Sequence, residues 1–262
     1  MKKKYEIIGE NGIFEKLFRV EYEDVNSLLQ LKPQRAIEFC QNMAIRHSDE
    51  AGYTSEYFVE NKKGWVLTGW EAKFHSFPAQ NQFFEIKTWT KPHKRLQSDR
   101  SYEACDMDGN KLFSVNSRWF LMDTEKRKPI RIPKGFLETY NIADIPNAIP
   151  DGEYLQSELD AYTHESSREF KVTRRDIDSN NHTNNISYIE WALDDLTDDI
   201  YYDMQITDLV AEYKLEAQLG MTIRSDYYRR PLDNGRIEVS SVFSCAEDNS
   251  YLCRITTVWT NK

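Results

Sequence analysis

The feature that most constrains the fold of this chain is a faint internal repeat. "LFRVEYEDVN" (17–26) resembles "EFKVTRRDID" (169–178). Each alternates apolar residues (Phe18, Val20 and Tyr22; Phe170 and Val172) as a half-buried strand does, and each runs into an acidic turn. A helical pattern follows each. In the first half Ala36, Phe39, Cys40, Met43 and Ala44 recur at helical spacing, with Pro33 where a first-turn proline is tolerated. In the second, Ile186, Ile189, Leu193, Leu196 and Ile200 make a similar stripe. After each helix the pattern turns β-rich: 64–74, 81–90, 98–106 and 111–122, then 207–217, 221–230, 236–245 and 250–260. Asp108-Gly109 and Glu247-Asp248-Asn249 mark turns. Residues 126–164 between the halves hold four of the eight prolines and read as a linker. One long helix beside an antiparallel sheet requires the sheet to curl around the helix, because both must bury an apolar face. The expected class is therefore α+β, two tandem hotdog domains at 1–125 and 165–262.

Composition narrows the partners. Forty per cent apolar and thirteen per cent aromatic residues suffice for a packed core. A net charge of −9 argues against nucleic acid or an anionic membrane as the main partner. No apolar run approaches the roughly 18 residues of a spanning helix, so no membrane insertion is expected. The opening MKKKYEIIGENG has a basic cluster without an apolar segment, so no secretory leader is expected either. The four cysteines (Cys40, Cys105, Cys245, Cys253) lack CxxC spacing and read as buried free thiols of a reducing cytoplasm.

Chemistry concentrates in "DIDSNNHTNNISYIEW" (176–191). Asp176, Asp178 and Asn180 fit positions 1, 3 and 5 of a calcium loop, but Asn181 and Ser187 stand where glycine and a bidentate glutamate are required. No cysteine or second histidine lies near His182 to hold zinc. No metal and no cofactor are expected. Asn184 or Asn185 reads as the N-cap of the following helix, which leaves Asp178, Asn180 and His182 unexplained. Alternation along 207–217 puts Leu209, Ala211, Tyr213, Leu215 and Ala217 on one strand face and Glu216 on the other, free to act as a general base.

Asp178-x-Asn180-x-His182-x-Asn184-Asn185, followed by Tyr188 and Trp191, resembles the signature of the plant and bacterial acyl-acyl carrier protein thioesterases. The downstream Tyr213-Lys214-Leu215-Glu216-Ala217 resembles that family's Tyr-x-x-Glu-Cys, with Ala217 in place of cysteine. The resemblance implies two tandem hotdog domains, with the acyl chain bound in the first. It implies hydrolysis of fatty acyl-acyl carrier protein to free fatty acid, ending chain elongation. Asp178, Asn180, His182 and Glu216 would be the catalytic set, and Asn184 and Asn185 would bind substrate. Acyl carrier protein is the implied partner. Because that protein is acidic, Arg174 and Arg175, with Lys171, become candidates for docking it. Arg229 with Arg230, and the cluster Lys126, Arg127, Lys128, Arg131 and Lys134, are further candidates. His47, His75, His93 and His164 receive no role, and the chain is expected to be a monomer or homodimer. The rival readings are an acyl-CoA thioesterase, a non-catalytic acyl-binding hotdog protein and a hotdog dehydratase.

Overall fold

The computed structural model describes residues 6–8, 12–91, 95–140, 145–152 and 158–262. The basic opening cluster, His93 and parts of the expected linker lie outside them. The chain divides into two compact units, Met1–Thr68 with Ala72–Glu153 and Gly69–Glu71 with Tyr154–Lys262.

In chain order the first half carries β1 (Glu6–Ile8), β2 (Phe14–Arg19), a 3₁₀ turn (Tyr22–Asp24), α1 (Pro33–Glu50) and α2 (Ser55–Glu60). β3 (Lys63–Phe74), β4 (Phe83–Thr90), β5 (Gln97–Asp106), β6 (Lys111–Asp123), β7 (Lys128–Pro129) and α3 (Lys134–Thr139) follow. The sheet order is β1-β2-β4-β5-β6-β3, with β7 on β6. Pro33 opens α1, where its missing N–H costs nothing. Ala36, Ile37, Cys40, Met43, Ala44 and His47 form the buried face of that helix. Phe39, expected there, is only half-buried and packs instead on Phe18 and Phe84. Tyr22, expected on a strand face, starts the 3₁₀ turn and is exposed. On the sheet, alternation turns Thr88 and Thr90 of β4 and Ser98, Arg100, Tyr102 and Ala104 of β5 inward, all buried. Each fully buried apolar side chain contributes about 1.5–3 kcal/mol.

Residues 126–152 carry β7, α3 and a stretch held to the sheet. Phe136 of α3 joins Leu121, Ile132 and Tyr140 in a buried cluster, with Tyr53 stacked on it at 3.9 Å. Trp89 donates to the carbonyl of Pro146, and Asn116 to that of Ile149.

The second half carries β8 (Thr163–Lys171), a 3₁₀ turn (Arg174–Asp176), α4 (Asn185–Asp194), α5 (Asp198–Asp203), β9 (Met204–Tyr213), β10 (Thr222–Pro231), β11 (Ile237–Cys245) and β12 (Tyr251–Asn261). Its sheet order is β9-β12-β11-β10-β8, all antiparallel. Ile186, Ile189, Trp191 and Leu193 of α4 are buried, with Trp191 on Phe170 and Phe243. The stripe predicted as one helix is divided. Thr197 caps a fresh start, its carbonyl accepting from Ile200 and Tyr201, with Asp198 and Asp199 in the favourable first turn. Leu196 falls between the two helices. Both units are thus a helix laid against an antiparallel sheet, the tandem hotdog arrangement expected. Of the four cysteines, all free, Cys105 is part-exposed rather than buried. Among the described residues no helix is long and apolar enough to cross a membrane.

Candidate active site

The polar stretch forms a closed loop between β8 and α4. Asp178 organises it. Its Oδ1 accepts from the backbone N–H of Asn180 (2.8 Å) and of His182 (3.1 Å), and its Oδ2 lies 3.4 Å from Asn180 Nδ2. Its own N–H donates to the His182 carbonyl, and Asn181 turns the chain at φ 61°. That left-handed conformation is one asparagine adopts more readily than most residues. Asp178 therefore holds the Asn180 side chain by its Nδ2, and it holds the backbone of His182 rather than its ring.

The ring is met by Glu216: His182 Nε2 lies 3.4 Å from Oε2, with both side chains about one-third exposed. The route by which Glu216 arrives differs from the sequence expectation. β9 ends at Tyr213, so 214–217 is not strand. Lys214 and Leu215 both donate to the single carbonyl of Leu252, which breaks the alternation, and Leu215 is exposed instead of inward. The next residue anchors the segment. Ala217 is fully buried, its N–H donates to the Tyr188 hydroxyl at 3.0 Å, and its carbonyl accepts from the Thr183 N–H and hydroxyl. Thr183 and Tyr188 thereby bolt the Glu216 segment to the loop and to α4. The signature names Tyr188 but leaves position 183 open, and only the fold reveals what the two do together.

At the helix start Asn184 is the N-cap, its side chain accepting from Ile186 N–H at 3.1 Å. Its own N–H donates to the carbonyl of Asp176 at 2.7 Å. The N–H of Asn185, first residue of α4, meets no acceptor among the described residues. The Asn185 carbonyl is fixed by the Tyr213 hydroxyl. An open N–H at the positive end of a helix suits a developing negative oxygen.

Arg174 and Arg175 stand exposed on the 3₁₀ turn ahead of the loop. They make no contact with Asp178, His182 or Glu216 among the described residues, and Arg175 lies 3.7 Å from Asp176. Lys171 is exposed too, as are Lys126, Arg127, Lys128, Arg131 and Lys134. Arg229 and Arg230 are engaged by Asp199 and Glu238.

Comparison with known proteins agrees with this construction. The family models described as the N-terminal and C-terminal domains of acyl-ACP thioesterase match residues 11–140 and 159–261. The chloroplastic acyl-carrier-protein hydrolase FATB1 of Cuphea viscosissima is 25% identical over 91% of this chain and 57% of its own length. The chloroplastic palmitoyl-acyl carrier protein thioesterase of Arabidopsis thaliana is 23% identical over 98% of this chain and 66% of its own. The chain thus spans less than two thirds of the length of these curated relatives. Among solved structures, the 12:0-ACP thioesterase of Umbellularia californica matches with a TM-score of 0.85 at 20% identity, covering 97% of this chain and 96% of that one. An acyl-ACP thioesterase of Bacteroides thetaiotaomicron matches at 0.81 and 23%, covering 96% and 99%. At such identities these structures establish the fold. With both halves matched in order by the family models, the chain belongs to the acyl-ACP thioesterase family.

Proposed function

We propose that this protein hydrolyses the thioester of fatty acyl-acyl carrier protein, releasing free fatty acid and ending chain elongation. The observation that carries this is the Glu216–His182 pair, 3.4 Å apart, where the segment after β9 meets the loop closed by Asp178, beside a helix start with an open N–H at Asn185. In this reading Glu216, with His182, takes a proton from a water whose oxygen attacks the thioester carbonyl. The oxyanion forms against the Asn185 N–H, with Asn180 and Asn184 orienting water and substrate. The C–S bond then breaks, the thiolate receives the proton, and the carboxylic acid leaves. A positioned base is worth roughly 10²–10⁴-fold in rate, and one oxyanion donor about 10²–10³-fold. Ala217 supplies no thiol, so the nucleophile is a water activated by Glu216, or the Glu216 carboxylate itself through a transient anhydride that water then hydrolyses.

The acyl chain is assigned to the N-terminal domain (1–125) and the chemistry to the C-terminal domain (165–262), joined by 126–164. The relatives' names range over 12:0, palmitoyl and oleoyl chains, so no length carries over. Acyl carrier protein docks at Arg174 and Arg175, whose exposed charges suit an acidic partner. The cytoplasm is the assigned compartment, in keeping with four free thiols. The test is thiol release by the purified protein from acyl carrier protein and CoA thioesters of equal chain length. The expected result is a carrier-protein preference that shrinks in high salt. Equal rates on both would favour the CoA reading, and release from neither would favour a non-catalytic binder.

A further inference from the structure

Inside the first unit lies a group of buried hydrogen-bond donors that the described residues only partly answer. Arg100, 5% exposed, points inward from β5. Its Nη1 reaches His47 Nδ1 at 2.9 Å and Thr88 Oγ1 at 3.2 Å, and its guanidinium lies 5.7 Å from the Tyr140 ring centroid. It faces no carboxylate among the described residues, and its Nε and Nη2 donate to nothing there. His47 is fully buried between the face of Phe14 and the edge of Tyr140. Since its Nδ1 accepts from Arg100, the neutral ring carries its proton on Nε2, and that N–H has no acceptor. Burial, with the Arg100 charge adding, pushes this imidazole down to about 2, so it is neutral. Thr90 sits opposite Arg100 in the β4–β5 register, which turns both side chains to one face, and its buried hydroxyl is also unpartnered.

A buried cation and buried donors left unanswered are costly, so such groups are retained where a ligand answers them. All of these groups can donate, which selects an acceptor oxygen. We propose that Arg100, His47 and Thr90 form a binding site for an oxygen function carried on the acyl chain, a hydroxyl, oxo or carboxylate group, so that the preferred substrates are oxygenated rather than plain acyl chains. The word acyl here rests on the hydrolase reading above; the donor site does not.

Two measurements separate them. The first is kcat/KM on carrier-protein thioesters of one length, with a plain chain, a hydroxyl in the distal half or a terminal carboxylate. The second is calorimetric binding of the matching free acids. An oxygenated chain should be favoured at least about tenfold in both, since a site built to bond an oxygen rejects the analogue lacking it. The hydroxyl and carboxylate arms identify the oxygen. Thr90→Val and Arg100→Met should erase the preference, whereas His47→Gln, which keeps a donor near the ε position, should retain most of it. If Arg100→Met fails to fold, the other two variants decide. Preferential binding of an oxygenated acid without any hydrolysis would keep this site and remove the hydrolase reading. Equal rates and equal binding for all chains would overturn the site and leave the hydrolase reading standing.

Discussion

The loop before α1 and the loop before α4 are one backbone design carrying two sets of side chains. Asn26 does in the first what Asp178 does in the second: its Oδ1 accepts from the N–H groups two and four residues on, those of Leu28 and Gln30. The Asn26 N–H donates to the Gln30 carbonyl, as that of Asp178 does to His182. Leu29 and Asn181 both turn at φ near 60°. The bridge Val25↔Leu31 answers Ile177↔Thr183, and the carbonyls of Asp24 and Asp176 accept from Lys32 and Asn184. Leu28 and Gln30 therefore occupy the places of Asn180 and His182, and Pro33 the place of Asn185. The first loop closes with leucine in place of the Asn180 carboxamide, glutamine in place of the imidazole and no N–H at the helix start. Folding does not require these groups in the second loop, so their presence there calls for a chemical use. Leu29 makes the point from the other side, holding a left-handed conformation costly for its residue type where Asn181 holds it more easily.

The comparison is most sharply tested where the loops differ. Glu216→Gln keeps size and removes the base, and turnover should fall about a hundredfold or more with the thermal midpoint nearly unchanged. Full activity in the folded variant would remove Glu216 from the mechanism. Asn185→Pro installs the first loop's residue in the second. Proline is tolerated at a first helical position, so the protein should fold while kcat drops about 10²–10³-fold through loss of one donor. A variant of normal activity would show that the open N–H is idle. Asp178→Asn imports the other unit's organiser and should cost less than about 1 kcal/mol in denaturant unfolding. Asp178→Ala orphans the loop donors and should cost about 1–3 kcal/mol. Equal losses for both would mean that the two loops are not held alike.

A final test contrasts the two histidines, His182 on the loop and His47 in the interior. The ordinary histidine value near 6.5 applies to the unfolded chain, while folded His47 stays neutral down to about 2. Below pH 6.5 the unfolded state alone takes up this proton. Stability present above that pH is then lost as pH falls, by about 1.4 kcal/mol per unit. His47→Gln should flatten this decline, measured by urea unfolding between pH 6.5 and 4.5. Parallel slopes in the two proteins would show that His47 is not buried neutral.

Much of this was legible in the sequence because it rested on period and punctuation. The repeat 17–26 against 169–178 set the two loops in their correct correspondence, and eight strand segments followed from alternation. What failed was alternation carried past the point where the ladder stops. Leu215 and Glu216 were placed by counting along β9, but two N–H groups share the Leu252 carbonyl and the count is lost. Leu196 was counted into a helix that a competing cap at Thr197 interrupts. His47 receives no role from the sequence because no cluster of polar residues like that around His182 surrounds it there. Its partner Arg100 is a charged residue on the inward beat of β5, a signal present in the spacing Ser98, Arg100, Tyr102, Ala104. It has meaning only once helix and strand meet.

Ala217 has a consequence for descent. Both bonds of Ala217 itself, to Thr183 and Tyr188, are made by its backbone, so they are indifferent to the chemistry of a small side chain at this position. A lineage can exchange cysteine and alanine here while the neighbouring carboxylate stays in place. Keeping or losing a thiol at this position therefore leaves the backbone bonds that hold the residue beside Glu216 unchanged.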